Sequence, residues 1–250
     1  MTRIIAVTGK GGTGKTAITT LLIRHLTRGN KVVLAVDADP DTNLPETLGC
    51  EVHRTIGDVK EFMHEERDNL PPDVNKQSIL ESKLYEILEE MPGYDLLVMG
   101  RPEGSGCYCY VNNLLRGIMN KLVGNYDVLI IDTEAGLEHF SRKIFKQVDD
   151  LIVVTDGSRR GLGTAERIRE LVGELETDVN HIYVIANKVT DSTRGTIIKT
   201  AAELGLELIG MVPMDEMIVQ RDLAGQPLME LPDDSPAVKE VENISRKLNL

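Results

Sequence analysis

Apolar residues along this chain follow two rhythms. Runs rich in Val and Ile occupy residues 4–7, 32–36, 96–99, 128–131, 151–154, 182–185 and 208–212. They are apolar at consecutive positions, as in parallel strands covered by helices on both faces. Between the runs the period becomes helical. Ile18, Leu21, Leu22 and Leu26 share a face that Gly29 ends. Leu114, Leu115, Ile118, Met119 and Leu122 share another, with Asn112 as cap and Gly124 as stop. Leu162, Ala165, Ile168, Leu171, Val172 and Leu175 form a third face. From Ser235 and Pro236 onward, Val238, Val241, Ile244 and Leu248 form a last one. This alternation predicts an α/β fold, a single domain over residues 1–250 built as a doubly wound, mostly parallel sheet with helices on both faces. Residues 52–92 interrupt it: they are acidic, contain Pro71-Pro72, and show only the weak pattern Leu80, Leu84, Ile87 and Leu88. They are expected to be a helical insertion on the same domain.

Composition narrows the class. With 28 basic and 40 acidic residues the net charge is -12, against the basic surface that nucleic-acid backbones require and against a polybasic membrane anchor. Glu240 and Glu242 balance Arg246 and Lys247 in the last helix, which favours core packing there over membrane targeting. No apolar run approaches the ~18 residues of a membrane span. The strand-like N-terminus leaves no room for a signal peptide, and three cysteines do not make a secreted disulfide framework. A cytoplasmic protein without nucleic-acid or membrane partners is expected.

The chemistry begins after the first run. Gly9-Lys10-Gly11-Gly12-Thr13-Gly14-Lys15-Thr16 matches the spacing G-x-x-x-x-G-K-[ST], after a strand and before a helix. The glycines let successive amides face phosphates, and the following helix contributes its positive end. The binding stretch is read as Gly9, Lys10, Gly11, Gly12, Thr13, Gly14, Lys15, Thr16 and Ala17. Lys15 would reach the β- and γ-phosphates and Thr16 would hold Mg²⁺. The runs ending in Asp37-Ala38-Asp39-Pro40 and in Asp132-Thr133-Glu134-Ala135-Gly136 add carboxylates at strand ends, where aspartates also serve simply as loop caps. Asn187-Lys188 lies at another strand end. Thr190 stands where a guanine reader of the Asn-Lys-x-Asp type has its Asp, so adenine is favoured. Cys107-Tyr108-Cys109 offers two soft ligands from one extended loop, half of a tetrahedral site that a twofold dimer would complete; two small buried hydrophobes are the other reading. Cys50 is read as packing. His139 is read as a structural or switch hydrogen-bonding group, with metal ligation as the lesser alternative.

Lys10, directly after the first glycine, gives the motif the form of the deviant phosphate loop, and the chain resembles the group that contains the nitrogenase iron protein, the septum-site and partition ATPases and metal-pumping ATPases. Gly106-Cys107-Tyr108-Cys109, Asp132 through His139, and Asn187-Lys188-Val189 narrow the resemblance. They are similar to the CooC-type accessory ATPases for nickel insertion into carbon monoxide dehydrogenase, including the relative serving acetyl-CoA synthase. The resemblance implies an ATPase that forms a homodimer on binding ATP or metal, turns ATP into ADP and phosphate, and carries Ni²⁺, or Zn²⁺ in its place, on Cys107 and Cys109 of two chains. It implies that Lys10 acts across the dimer on the partner's phosphates and that Asp39 orients the attacking water. Asp37 and Asp132 would support Mg²⁺, and Gly136 would sense the γ-phosphate. Asn187, Lys188 and Pro213 would line the adenine pocket, with Asn187 reading the base. The rivals are an iron–sulfur-carrying reductase like the nitrogenase iron protein and a partition or septum-positioning switch.

Overall fold

In the computed structural model the described residues are 2–66, 75–100, 117–133, 147–173 and 178–250. The strands are β1 (Arg3–Thr8), β2 (Val33–Ala38), β3 (Glu89–Met91), β4 (Tyr94–Val98), β5 (Val128–Thr133), β6 (Gln147–Thr155), β7 (Asp178–Val189) and β8 (Leu208–Pro213). They join in one sheet of order β3-β4-β2-β5-β1-β6-β7-β8. Every pairing is parallel except β3 with β4. The chain therefore starts in the middle, winds outward through β2 and β4, returns by β5, and crosses β1 to fill the other half. That reversal opens a crevice at the carboxyl ends of β1 and its neighbours, where doubly wound sheets bind ligands.

The helices are α1 (Lys15–Arg28), α2 (Leu44–Leu48), α3 (Ile56–Glu65), α4 (Lys76–Glu86), α5 (helical over 117–123), α6 (Arg159–Val172), α7 (Asp191–Glu203), α8 (Glu216–Leu223) and α9 (Pro236–Lys247). Strand alternation sorts the core. Ile5, Val7, Val33, Ala35, Ile130 and Ile152 face one side and are covered by Ile18, Leu22 and Leu26 of α1 and by Val238, Val241 and Ile244 of α9. Leu34, Val36, Leu97, Leu129 and Ile131 face the other side, under α3, α4 and α5. On that same side Ala6, Leu151, Val153 and Val184 lie under α6 and α7. Among the described residues no helix is long and apolar enough to cross a membrane.

Two local expectations change, and the stop at Gly29 holds in a different conformation from the usual glycine cap. The 52–92 stretch is helical in α3 and α4, but its end forms the antiparallel edge strand β3, and Leu80, Leu84 and Ile87 cover the sheet as part of the β2–β4 crossover. Gly29 ends α1 at φ -80; Asn30, at φ 57, takes the left-handed position, which asparagine tolerates. Leu171 is 47% exposed, so Leu162, Ala165, Ile168 and Val172 alone carry the inner face of α6. Leu175, Asn112, Leu114 and Leu115 lie outside the described residues.

β8 forms one edge of the sheet, and α9 covers more than its face. Glu240 Oε1 accepts from Met211 N at 3.3 Å, and Lys247 Nζ donates to Ile209 O at 2.7 Å.

Candidate functional site

The loop from Gly9 to Gly14 leaves β1 in a path that only glycine follows. Gly9 has φ +147, and a Cβ there would lie 2.2 Å from Val154 O on β6. Gly12 and Gly14 also have positive φ, 78 and 85. Thr13 Oγ1 donates to Lys10 O at 2.8 Å and folds the loop back on itself. α1 then begins with Gly14 as its N-cap, without a side-chain cap and without an acidic residue in its first turn. Its unpaired amides and positive end are therefore left for an anion. Lys15 is buried at the start of α1, Thr16 and Ala17 are half-buried, and Lys10, Gly11 and Gly12 are exposed at the tip.

Carboxylates gather beside the loop because β2 and β5 run in register, with Asp37 opposite Asp132. Asp132 is fully buried. Its Oδ2 accepts from Thr16 Oγ1 at 2.6 Å and its Oδ1 from Thr19 Oγ1 at 3.2 Å. Asp37 is equally buried and accepts from Asp39 N and from Leu44 N, each at 3.0 Å, so it shapes the turn into α2 as well as facing the site. Asp39 accepts from Asp41 N at 3.0 Å and lines the cavity. Burial pushes the Asp37 carboxyl up to about 7, against the backbone amide of Asp39, and the nearby Asp132 pushes the same way. Burial likewise pushes Asp132 up to about 6, against the Thr16 hydroxyl and the Lys15 charge.

These shifts set a pH dependence. Both carboxyls hold protons longer in the folded chain than in the unfolded one, so their contribution to stability is complete below about 4 and is lost as pH rises to about 7. Asp132→Asn, which keeps hydrogen bonding to Thr16 and Thr19, is expected to flatten this part of the stability profile. Urea midpoints of the nucleotide-free protein from pH 4 to 8 measure it; an unchanged slope contradicts the assignment.

A cavity of about 600 Å³ opens from the loop, lined by Lys15, Asp39, Asn187, Lys188, Pro213, Met214 and Leu228 among others. Its walls are pinned from behind. Asp215 caps α8 through Met217 N at 2.9 Å and accepts from Ser235 Oγ at 2.6 Å. Arg24 of α1, almost wholly buried, donates to Leu231 O at 2.8 Å. Asn187 does not present its whole amide to the cavity. Its Nδ2 donates to Thr13 O and its Oδ1 accepts from Lys188 N, both at 2.9 Å. Lys188 Nζ donates to Gly12 O at 3.0 Å.

Among the described residues no three His, Cys, Asp or Glu side chains could hold a metal ion by themselves. Mg²⁺ is suited by one hydroxyl and one carboxylate completed by substrate phosphates, and the joined Thr16 and Asp132 offer that partial set. Cys107, Cys109, Gly136 and His139 lie outside the described residues. Cys50 is buried with the α1-side core, and burial pushes its thiol up, as suits a packing residue. Sequence reasoning missed Thr19, three positions after Thr16 on the same helical face; Asp215, in the stretch Val212-Pro213-Met214-Asp215 that resembles the family's adenine- and ribose-lining loop, serves in the described structure as the N-cap of α8.

Comparison with known proteins agrees with this geometry. The chain is 54% identical over 247 residues to an uncharacterized ATP-binding protein of Methanocaldococcus jannaschii, covering 98% of each. It is 35% identical to the carbon monoxide dehydrogenase accessory protein CooC of Rhodospirillum rubrum, over 94% of this chain and 92% of that one. The septum site-determining protein MinD of Pyrococcus horikoshii, solved as its Mg-ADP complex, shares the fold with a TM-score of 0.73 at 22% identity, over 100% of this chain and 96% of that one. Residues 4–228 match the CobQ/CobB/MinD/ParA nucleotide binding domain, and the chain belongs to that family of P-loop ATPases.

Proposed function

We propose that the chain is an ATP-hydrolysing maturation factor that dimerises and delivers Ni²⁺ to carbon monoxide dehydrogenase or to acetyl-CoA synthase. The observation that carries the reading is one chain's combination of this phosphate cradle with Cys107-Tyr108-Cys109, in a sequence akin to the Rhodospirillum accessory protein over nearly its full length. The soft thiolate pair suits Ni²⁺ or Zn²⁺ as cargo. Four thiolates around one ion require two copies of the chain.

The described residues divide the work of hydrolysis. The loop amides and the start of α1 bind the triphosphate, and buried Lys15 places its charge on the β- and γ-phosphates. Thr16, with Asp132 behind it, holds Mg²⁺, which neutralises charge on the phosphate oxygens. Asp39, at the cavity wall beside Asp37, orients the attacking water. Lys10, exposed at the loop tip, acts on the phosphates of the second copy, so closing the dimer completes the charge stabilisation. The helical stretch 117–123 follows the cysteine segment in sequence and leads into β5, whose last turn of chain carries Asp132. The cysteine segment is thereby joined along the chain to the strand that carries Asp132.

Metal titration followed by light scattering tests this. Wild type is expected to take one ion per dimer and to dimerise with it. The double replacement Cys107→Ser/Cys109→Ser is expected to lose both while still binding ATP. Lys10→Ala is expected to bind ATP normally and to lose hydrolysis and the ATP-closed dimer. The loaded dimer with ATP is expected to activate nickel-free carbon monoxide dehydrogenase or acetyl-CoA synthase. One ion per monomer, equal binding by the double mutant, or iron and sulfide in anaerobically purified protein would overturn the reading.

A further inference from the structure

We infer that Arg24 is a positioning residue for the part of the nucleotide beyond its phosphates, because it fixes the far wall of the cavity to the helix that receives the phosphates. This rests on the chain binding a nucleoside triphosphate. The far wall includes Gly225, Gln226 and Leu228, in the segment between α8 and α9. That segment has one short 3₁₀ turn, Leu228–Glu230, so little regular hydrogen bonding shapes it. Arginines from two helices take up its carbonyls instead. Arg24 of α1 donates through Nε to Met229 O at 3.2 Å and through a terminal nitrogen to Leu231 O at 2.8 Å. Arg221 of α8 donates to Pro227 O at 2.8 Å and to Glu230 O at 3.2 Å. A planar guanidinium fork suits acceptors at fixed spacing.

Burial makes Arg24 the more informative of the two. Its side chain is 3% exposed, whereas Asp233, its ion-pair partner among the described residues, is 71% exposed. A buried charge whose counter-charge lies in solvent adds little net stability, and an apolar side chain would fill the same space without the desolvation cost. What the fork supplies, and an apolar residue does not, is a fixed distance between α1 and the wall. Lys15 begins α1, and Arg24 follows about 14 Å further along the axis. One helix therefore carries the phosphate end of the site at its start and the anchor of the far wall beyond its middle. Thr20, one turn before Arg24, adds a third attachment. Its Oγ1 shares a hydrogen bond with Thr47 Oγ1 of α2 at 2.6 Å, and Thr47 also lines the cavity.

A ligand that ends at its phosphates separates this role from a general effect on the site. Binding of magnesium tripolyphosphate and of Mg-ATP is measured by calorimetry on wild type, Arg24→Met, Asp233→Asn and Arg28→Met, with steady-state ATP hydrolysis alongside. Arg24→Met is expected to weaken Mg-ATP about tenfold and to leave tripolyphosphate unchanged. In hydrolysis the loss is expected in KM with kcat kept, since binding common to substrate and transition state is removed. Asp233→Asn takes the counter-charge from Arg24 at an exposed position and is expected to weaken ATP alone, roughly threefold. Arg28→Met removes the other arginine on Asp233 and is expected to change neither ligand. Thermal midpoints show whether Arg24→Met folds; if it does not, Asp233→Asn with its Arg28→Met control decides. Equal weakening of both ligands, unchanged ATP affinity, or a loss confined to kcat overturns the inference while nucleotide binding stands. A wild type that binds neither ligand overturns both.

Discussion

Lys15→Ala is expected to reduce ATP turnover by roughly 10²–10³-fold, the range seen when one preorganised donor to developing charge is removed, and to weaken ATP binding as well. Lys15 is 7% exposed at the first position of α1, so its side chain is already held by the fold before substrate arrives. A positive charge held that way stabilises phosphoryl oxygens far more than a solvated lysine does. The replacement has a second effect. The Lys15 charge holds the Asp132 carboxyl down against burial, and without it that carboxyl moves further above its place at about 6. The Thr16 and Asp132 pair then offers magnesium less negative charge near neutral pH. Phosphate release and calorimetry on the purified variant measure both effects, and turnover within threefold of wild type would rule out this role for Lys15.

Gly9→Ala is expected to cost folding stability as well as nucleotide binding. The φ of +147 at Gly9 alone costs an L-residue roughly 1–3 kcal/mol. The added methyl would also meet Val154 O at 2.2 Å. That oxygen belongs to the backbone of a central strand, with no rotamer by which to retreat. Either β6 moves away from β1 or the loop abandons its path, and both spoil the cradle. The same change at Gly11 meets nothing within 4 Å and serves as the control. Chemical denaturation of the two variants side by side gives the comparison; equal stability would show that the loop leaves β1 by another route.

The sheet was legible because its central strands are apolar on both faces, and burial on both sides demands that pattern. Seven of its strands coincide with Val- and Ile-rich runs. β3 was not legible: its Glu89, Glu90 and Met91 form an edge strand, where one partner and half a face of solvent impose no hydrophobic signature. The phosphate loop could be read because glycines at fixed spacing answer a backbone requirement, visible again at Gly9, Gly12 and Gly14. The orientation of Asn187 could not be read, since it depends on a bulge in β7 whose cause is the pairing with β8 far along the chain. Thr19 escaped for a related reason: a second hydroxyl on Asp132 follows from helix rotation, not from the motif.

The hydrogen bonds that Glu240 and Lys247 make with β8 have a meaning for solubility. An outer strand of six residues with free rungs is a template on which another chain can polymerise. Here one donor and one acceptor of that ladder, Met211 N and Ile209 O, are already occupied by side chains of the last helix. The C-terminal helix is thus a guard against strand addition as well as a core element. A chain cut before Pro236 would bare the ladder together with the apolar face beneath it, and self-association of the fragment would follow from the loss of both.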